Sequence, residues 1–340
     1  MRGLLFSLFL GIALCCHAQS GTLIVLNKSD DTVSFIEIET GRNMAQLPTG
    51  DGPHEVTVSP DQKTAVITNY GRKYWPGSSL TVIDIARKKV VNTISLPFKA
   101  PHGIEFIDKN RILVTCEENK KLLLFNVKSG RTEKHIDTQQ ETSHMVVYSS
   151  KFKRAFVTNI RSGSISVLDM ENNTLEKIIK TGKGAEGITI TPDQSEVWVT
   201  NRAENTISIV NPGTLETELT LLSEEFPIRA KITPNGKYAL ISNAKTGTVA
   251  VFDVKTKNRI HTISMEVTAK EKEASRLFQD FNDSPVPVGI LIHPNNKYAF
   301  VANTNADVIT VLDLVEMKIH KRLTAGKESD GLGFSAIRLK

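Results

Sequence analysis

The stretch that decides the fold is Gly187-Ile-Thr-Ile-Thr-Pro-Asp-Gln-Ser-Glu-Val-Trp-Val-Thr-Asn201. It contains two runs of alternating apolar and polar side chains, rich in β-branched residues, and a Pro-Asp-Gln turn separates them. Two further runs of the same kind follow at 206–210 and 217–222. We therefore expect four short antiparallel strands here, because helical periodicity is nearly absent.

The same pattern returns along the chain with a period close to 42 residues. Each copy has a strand that ends in a small residue plus Asn, or in a close stand-in. The copies are Leu26-Asn27, Thr68-Asn69, Thr115-Cys116, Thr158-Asn159, Thr200-Asn201, Ser242-Asn243 and Ala302-Asn303. The steps between their final residues are 42, 47, 43, 42, 42 and 60. Four strands per repeat at this period are typical of propeller blades, so the sequence predicts an all-β, seven-bladed β-propeller.

The two ends of the chain predict how the ring closes. The chain opens on a strand of the second type at 22–27 and finishes on a strand of the first type at 332–339. We expect the C-terminal strand to pair with the N-terminal strands in one blade, because this removes the open edge of the ring.

The repeats resemble the YVTN β-propeller repeat family. Val157-Thr158-Asn159 and Val199-Thr200-Asn201 match its signature tripeptide. Its first turn is matched at 59–61, 191–193 and 233–236, and its third strand at 166–169 and 310–313. The resemblance covers essentially the whole mature chain and departs from the pattern at Cys116 and in the turns at 107–109 and 149–151. It implies an exported seven-bladed propeller, and such propellers serve as binding platforms, cell-surface proteins and, among wider relatives, enzymes or cofactor carriers.

Residues 1–18 have the pattern of a secretory signal peptide. A short positive start precedes an apolar stretch at 4–14, and Cys16-His17-Ala18 precedes a cleavage site before Gln19. We expect one mature domain, 19–340, in the periplasm or outside the cell, without a membrane span. A lipid-anchored form through Cys15 or Cys16 is less favoured, because Leu14 is bulky for that processing.

Composition limits the chemistry further. Cys116 alone remains in the mature chain, and its place in an Asn slot indicates a half-buried thiol at a strand end rather than a nucleophile. The formal net charge of +5 permits an anionic partner but does not by itself indicate a nucleic-acid binder. The sequence has no Gly-rich phosphate loop after a strand, no Cys-x-x-Cys pair and no nucleophile-elbow serine.

Two insertions interrupt the regular spacing. One adds five residues within 71–79, and the other adds 18 residues around 266–285. Both connections emerge on the same face of a propeller. Functional residues tend to lie on such elaborated loops, although loops that lengthened without any function would give the same pattern. In the second insertion, 269–281 has the pattern of a short amphipathic helix, in which Leu277, Phe278 and Phe281 could pack over the face as a lid.

The residues that begin the seven first strands form a predicted ring at the channel mouth on this face. In order around the ring they are Asp330, His54, His102, His144, Glu186, Ile228 and Val288. Three imidazoles and two carboxylates suit a Zn, Cu or Fe ion. The same arc could instead form a metal-free polar or acid–base pocket, and the histidines could simply cap backbone groups at strand starts.

A cationic collar is predicted around this arc. The candidate ligand-binding residues are Tyr70, Arg72, Tyr74, Trp75, Arg161, Arg202, Arg229 and Lys245. Shared placement of cations on one face favours an anionic ligand, and the aromatic side chains could stack on a sugar or a base. Expected partners are an anionic small molecule, a glycan, a nucleic-acid strand or a protein, bound by a monomer.

Two functions fit these features. The favoured interpretation is a non-catalytic exported binding module that uses the elaborated face, with or without a metal. The alternative is a metal-dependent hydrolase or lyase, acting on a lactone or similar ring, in which the metal polarises a carbonyl or activates water. Glu186 or Asp330 would then serve as the general base. The sequence leaves open whether the protein is an enzyme.

Overall fold

A computed structural model describes residues 20–268, 281 and 283–339 of the chain. The predicted signal peptide and most of the predicted helix at 269–281 lie outside these residues. Within the described residues, 28 strands form seven four-stranded antiparallel sheets. They include a single 3-10 turn, Glu117–Asn119, and no helix among them has the length and apolar character needed to cross a bilayer.

The strands of the first three blades are β1 (Thr22–Asn27), β2 (Thr32–Glu37), β3 (Asn43–Pro48), β4 (Pro53–Val58), β5 (Thr64–Arg72), β6 (Trp75–Asp84), β7 (Lys89–Ser95), β8 (Pro101–Phe106), β9 (Arg111–Cys116), β10 (Lys121–Asn126) and β11 (Arg131–Asp137). Blades four and five contain β12 (Ser143–Ser149), β13 (Arg154–Asn159), β14 (Ser164–Asp169), β15 (Thr174–Lys180), β16 (Ala185–Ile190), β17 (Val197–Asn201), β18 (Thr206–Asn211) and β19 (Glu216–Leu222). Blades six and seven contain β20 (Pro227–Ile232), β21 (Tyr238–Asn243), β22 (Thr248–Asp253), β23 (Arg259–Ser264), β24 (Pro287–Ile292), β25 (Tyr298–Asn303), β26 (Val308–Asp313) and β27 (Lys318–Thr324), and β28 (Ser329–Ser335) ends the series.

The ring closes as the sequence predicts. The first sheet has the order β28-β1-β2-β3, in which Thr22 pairs with Ser335 and Val25 with Leu332. The innermost strands β28, β4, β8, β12, β16, β20 and β24 each contact the next one around the ring. The chain is therefore a closed seven-bladed propeller, and both termini contribute to one blade.

Where the signature Thr-Asn pair is present, its threonine can bond to the next blade and its asparagine to a strand of its own blade. The Thr68 hydroxyl donates to the backbone carbonyl of His102 in the next blade at 2.9 Å, and the Thr158 hydroxyl donates to that of Glu186 at 2.7 Å. The Asn69 amide donates to Thr81 on the third strand of its own blade at 3.0 Å. Because all of these groups are buried, each bond also provides a partner for a polar atom that would otherwise lower the stability of the fold.

Cys116 replaces Asn in a blade where the hydroxyl seven residues ahead is also missing. Asn159 donates to Ser166 seven residues ahead, but the corresponding residue in the third blade is Leu123, which packs in the same apolar cluster as Cys116. The thiol is fully buried, and burial raises its pKa to about 12. It is therefore a structural core residue, more deeply buried than the sequence predicts, and not a nucleophile.

The apolar core lies between neighbouring blades. Trp198 of the fifth blade is fully buried and meets the ring of Phe252 in the sixth at a centroid distance of 6.3 Å. Similar clusters fill the other interfaces, for example around Phe156 and Val199 between blades four and five. Burial of such side chains contributes about 1.5–3 kcal/mol each, so packing between blades can stabilise the ring without a disulfide.

The first insertion forms an extended hairpin, not a loose loop. Strands β5 and β6 continue until Arg72 pairs with Trp75, which leaves a two-residue turn. The Arg72 guanidinium is fixed at 2.7 Å from the Asp31 carboxylate and donates to the carbonyl of Lys28 at 2.8 Å. The hairpin is thus anchored to the first blade next to its turn. Its tip presents Tyr74, which is largely exposed.

Candidate functional site

The seven predicted ring residues occupy equivalent positions at one end of the channel. Each is the second residue of an innermost strand, one place later than the sequence suggests. A register shift in each strand, such as that between Pro53 and Val56 in β4, interrupts the ladder at this point. We call the end of the propeller that carries this ring the upper face.

Three of the ring imidazoles lie in direct succession. The ring centroids of His54 and His102 are 5.1 Å apart, and those of His102 and His144 are 3.7 Å apart. Tyr70 covers this group, with centroid distances of 4.4 Å to His54 and 5.5 Å to His102. The structure thus brings the three histidines together as the repeat predicts.

Glu117 joins the histidines, although the sequence analysis did not assign it a role. Its carboxylate contacts His144 Nδ1 and accepts a hydrogen bond from the Tyr70 hydroxyl at 2.7 Å. Donor atoms of His102, Glu117 and His144 all lie within 4.8 Å of one another, a spacing that could hold a metal ion. The sequence contained a sign of this role, because Glu117 directly follows Cys116, the residue that ends a second-type strand on this face.

The environments of the three imidazoles differ. His54 Nδ1 donates to the carbonyl of Gly52 at 2.8 Å, so Nε2 keeps its lone pair. Burial and nearby Lys28 lower the pKa of His54 to about 3. Burial and the neighbouring imidazoles also hold the pKa of His102 well below its ordinary value, and His102 Nδ1 is buried without a hydrogen-bond partner. Neutral imidazoles of this kind are suitable metal ligands.

His144 is different because it lies between two carboxylates. Its Nδ1 contacts Glu117 and its Nε2 lies 3.4 Å from Glu186 Oε1. Burial alone would lower the pKa of His144, but the two carboxylates outweigh burial and raise it. Metal binding at Nδ1 or Nε2 would therefore displace a proton, which makes affinity depend on pH.

The two ring carboxylates are paired with cations. Glu186 lies 2.5 Å from the Arg202 guanidinium, and Asp330 lies 3.5 Å from Lys28 Nζ. Burial alone would raise the pKa of both carboxylates. The nearby cations outweigh burial and hold the pKa of each below its ordinary value. They are therefore ionised, and each is held by a cation rather than free to ligate a metal.

Arg229 belongs to the channel interior and not to an exposed collar. It is almost fully buried, and its guanidinium contacts Glu55 from the second blade, 174 residues away in sequence. Its guanidinium nitrogens also lie 3.9 Å from Glu186 and 4.0 Å from Asp330. Burial alone would lower the pKa of Arg229, but the surrounding carboxylates outweigh burial and raise it. The ion pair between Arg229 and Glu55 therefore crosses the channel just below the ring.

The remaining two ring positions are apolar and covered. Ile228 and Val288 pack with Val286, and Phe226 and Phe281 pack against this cluster. The rings of Phe226 and Phe281 are 4.9 Å apart. Phe281 is the one described member of the predicted apolar face of the second insertion, and it covers the apolar side of the channel mouth.

A cavity of about 630 Å³ lies over the polar side of the mouth. It extends across blades two to five, and its lining residues are His54, Tyr70, Lys73, His102, Glu117, Glu118, Lys120, Glu141, Thr142, His144, Ile160, Arg161 and Arg202. The three histidines therefore open into a space large enough for a small molecule.

The predicted collar residues divide between this cavity and other places. Tyr70, Arg161 and Arg202 line the cavity. Lys245 lies 2.8 Å from Glu225 and lines a separate cavity. The remaining collar residues are Arg72, which is paired with Asp31 next to the hairpin turn, the exposed Tyr74 and Trp75 at the hairpin tip, and Arg229 in the channel.

The chemistry that this arrangement supports follows from its donor atoms. Two imidazoles and one carboxylate form a common ligand set for Zn²⁺ and other divalent transition metals, and three protein ligands leave positions for an exogenous ligand. The unpartnered nitrogen of His102 is consistent with such a set. The ion-paired carboxylates contribute charge balance rather than ligation.

Comparison with protein families agrees with the fold. A family model described as "Lactonase, 7-bladed beta-propeller" matches residues 144–277, which span β12 to β23. The chain is also similar to the uncharacterized protein YncE of Salmonella typhimurium and of Salmonella typhi. Each is 23% identical over 243 residues, an alignment that covers 66% of this chain and 67% of the relative.

Solved structures share the architecture at low sequence identity. A functionally unknown protein from Desulfotomaculum acetoxidans has a TM-score of 0.78 at 13% identity, covering 93% of this chain and 99% of that one. Hydrazine synthase of Kuenenia stuttgartiensis has a TM-score of 0.68 at 19% identity, covering 87% of this chain and 93% of that one. At these identities the likeness concerns the fold alone.

Proposed function

Because this chain is a YVTN-like seven-bladed β-propeller, we propose that it is an exported binding module whose upper face receives an anionic small molecule. The observation that carries the proposal is the convergence of three histidines, two of them buried and one half-buried, and several cations on one cavity of about 630 Å³. A rigid propeller that carries polar groups at the end of its channel is well suited to hold a ligand without large rearrangement.

A metal ion is part of this proposal. His102, Glu117 and His144 would hold a Zn, Cu or Fe ion, since their donor atoms already lie within 4.8 Å of one another. Such an ion would supply a Lewis-acidic position for an oxygen ligand. His54 and Tyr70 would support the set from the adjacent wall of the cavity.

Metal content and anion binding test the proposal together. The mature chain would be purified without chelator or nickel resin, analysed for metals, and titrated calorimetrically with inorganic phosphate and succinate. Arg161→Glu should weaken anion binding because Arg161 lines the cavity. Lys245→Glu is the matched control, since it reverses a cation on the same face outside this cavity. No stoichiometric metal and no binding of either anion would contradict the proposal.

A metal-dependent hydrolase is the second candidate. The family model that matches residues 144–277 carries the name lactonase, and three protein ligands would leave room for water or a carbonyl oxygen. The geometry favours this candidate less, because Glu186 and Asp330, the expected general bases, are held by Arg202 and Lys28.

The hydrolase candidate is tested with a simple lactone. Hydrolysis of δ-valerolactone by the Zn²⁺-loaded protein would be followed at constant pH against a metal-free sample. A rate above the solvent reaction that is lost in Glu186→Gln would favour an enzyme. A rate equal to the solvent reaction would leave binding as the function that the site supports.

A further inference from the structure

We infer that metal and anion bind to the upper face cooperatively, with the anion completing the coordination of the metal and pairing with Arg161. This inference rests on the proposed function and adds that each ligand strengthens the binding of the other. The ligand class is a small molecule with a carboxylate or phosphate group.

The charges of the cavity nearly cancel when no metal is present. Four lining side chains are cationic and three are acidic, so these seven groups have a formal net charge of +1. Glu186, just outside the lining, pairs with Arg202 and removes this excess. An anion entering the metal-free cavity therefore meets little net attraction.

A divalent ion changes this balance. Its two charges would lie at His102, Glu117 and His144, in a wall of the cavity shielded from water by Tyr70 and the neighbouring rings. Electrostatic attraction is stronger in such a partly buried place than at an exposed surface. The metal therefore supplies most of the attraction for an anion, and its open coordination positions determine where the anion binds.

Arg161 is the cavity cation best placed to take the other side of the anion. Lys120 lies 3.6 Å from Glu141, and Arg202 is held by Glu186. Lys73 Nζ lies over the Tyr74 ring, 5.3 Å from its centroid. Among the described residues, by contrast, the Arg161 side chain has no ion pair or hydrogen bond, and it lines the cavity. A guanidinium can contact two oxygens of a carboxylate or phosphate at once, and this geometry favours oxoanions over halides.

Cobalt provides a direct measure of the coupling. Metal-free mature protein would be titrated with Co²⁺, and its visible absorption would report both occupancy and the exchange of an exogenous ligand. The titration would be repeated with acetate and with methylphosphonate, which separate carboxylate from phosphate chemistry. Each anion would also be titrated by calorimetry into the metal-free protein and into the Co²⁺-loaded protein. Because coupling is reciprocal, both measurements should give the same factor, about 5–150-fold.

Three variants identify the residues involved. Arg161→Gln should keep the Co²⁺ affinity measured without anion but lose most of the coupling. His102→Gln should weaken Co²⁺ binding itself. Lys245→Gln, a cation outside this cavity, should behave as the wild-type chain.

The outcomes separate this inference from the proposed function. Equal anion affinity with and without Co²⁺ would overturn cooperativity and leave an anion-binding module in place. Full coupling in Arg161→Gln would overturn the role of Arg161. Absence of both metal and anion binding would contradict the proposed function as well.

Discussion

Replacement of Tyr70 by Phe tests whether this side chain positions the candidate metal ligands. The Tyr70 hydroxyl donates to Glu117 at 2.7 Å, while its ring packs on His54 and His102. Tyr70→Phe removes the hydrogen bond and keeps the ring. Loss of such an outer partner of a ligand lowers metal affinity about 10–100-fold, which corresponds to about 1.4–2.8 kcal/mol.

The assay is competitive titration of Zn²⁺ or Co²⁺ into metal-free protein, accompanied by urea unfolding of the same samples. Metal affinity should fall in Tyr70→Phe, while the unfolding free energy of the metal-free protein should change much less than the free energy of metal binding. Tyr148→Phe is the matched control, because Tyr148 is half-buried near the opposite end of β12. If Tyr70→Phe binds the metal as tightly as the wild type while Tyr70→Ala does not, only the ring matters and the reasoning about Glu117 is refuted.

Three further predictions concern the scaffold beneath the site. Thr115→Val should destabilise the protein by about 1–3 kcal/mol in urea unfolding, because the buried carbonyl of His144 loses its 2.5 Å hydrogen bond; an unchanged midpoint would argue against this role of the signature threonine. Arg229→Met should lower the free energy of unfolding by about 3–5 kcal/mol because it leaves Glu55, which is largely shielded from water, without its ion pair, and Arg229→Met/Glu55→Met should recover part of that loss in the same assay. Burial raises the pKa of Glu105 to about 7 from an ordinary value of 4.5, so the folded state binds more protons than the unfolded state between these values. The contribution of Glu105 to the free energy of unfolding should be fully present below pH 4.5 and should fall by less than about 3 kcal/mol as the pH rises to 7. Glu105→Gln should therefore make the free energy of unfolding less dependent on pH in this range.

The buried charges explain why the channel mouth tolerates so many ionisable groups. Arg229 is surrounded by Glu55, Glu186 and Asp330, while Lys28 and Arg202 approach the latter two from outside. Three cations thus balance three carboxylates, and each buried charge has a partner of opposite sign. Such a network costs less than isolated buried charges, and it leaves the neighbouring histidines as the groups available for a ligand.

The repeat determined the architecture and the candidate ring without any knowledge of tertiary contacts. A propeller places residues one period apart at the same height and radius, so His54, His102 and His144 had to share one end of the channel once the period was known. The closure of the ring between β28 and β1 followed from the types of strand at the two termini. These inferences hold because they depend on backbone geometry, which the repeated turns and strands specify locally.

Only the tertiary structure decided which of these groups can act together. Glu117 approaches His144 from a loop of the preceding blade, and Arg229 reaches Glu55 across the channel from 174 residues away. Glu186 likewise contacts both Arg202 and His144 Nε2, and these two residues come from different blades. The physical reason is that side-chain reach, burial and charge pairing depend on neighbours from different blades, and a one-dimensional period carries no information about them.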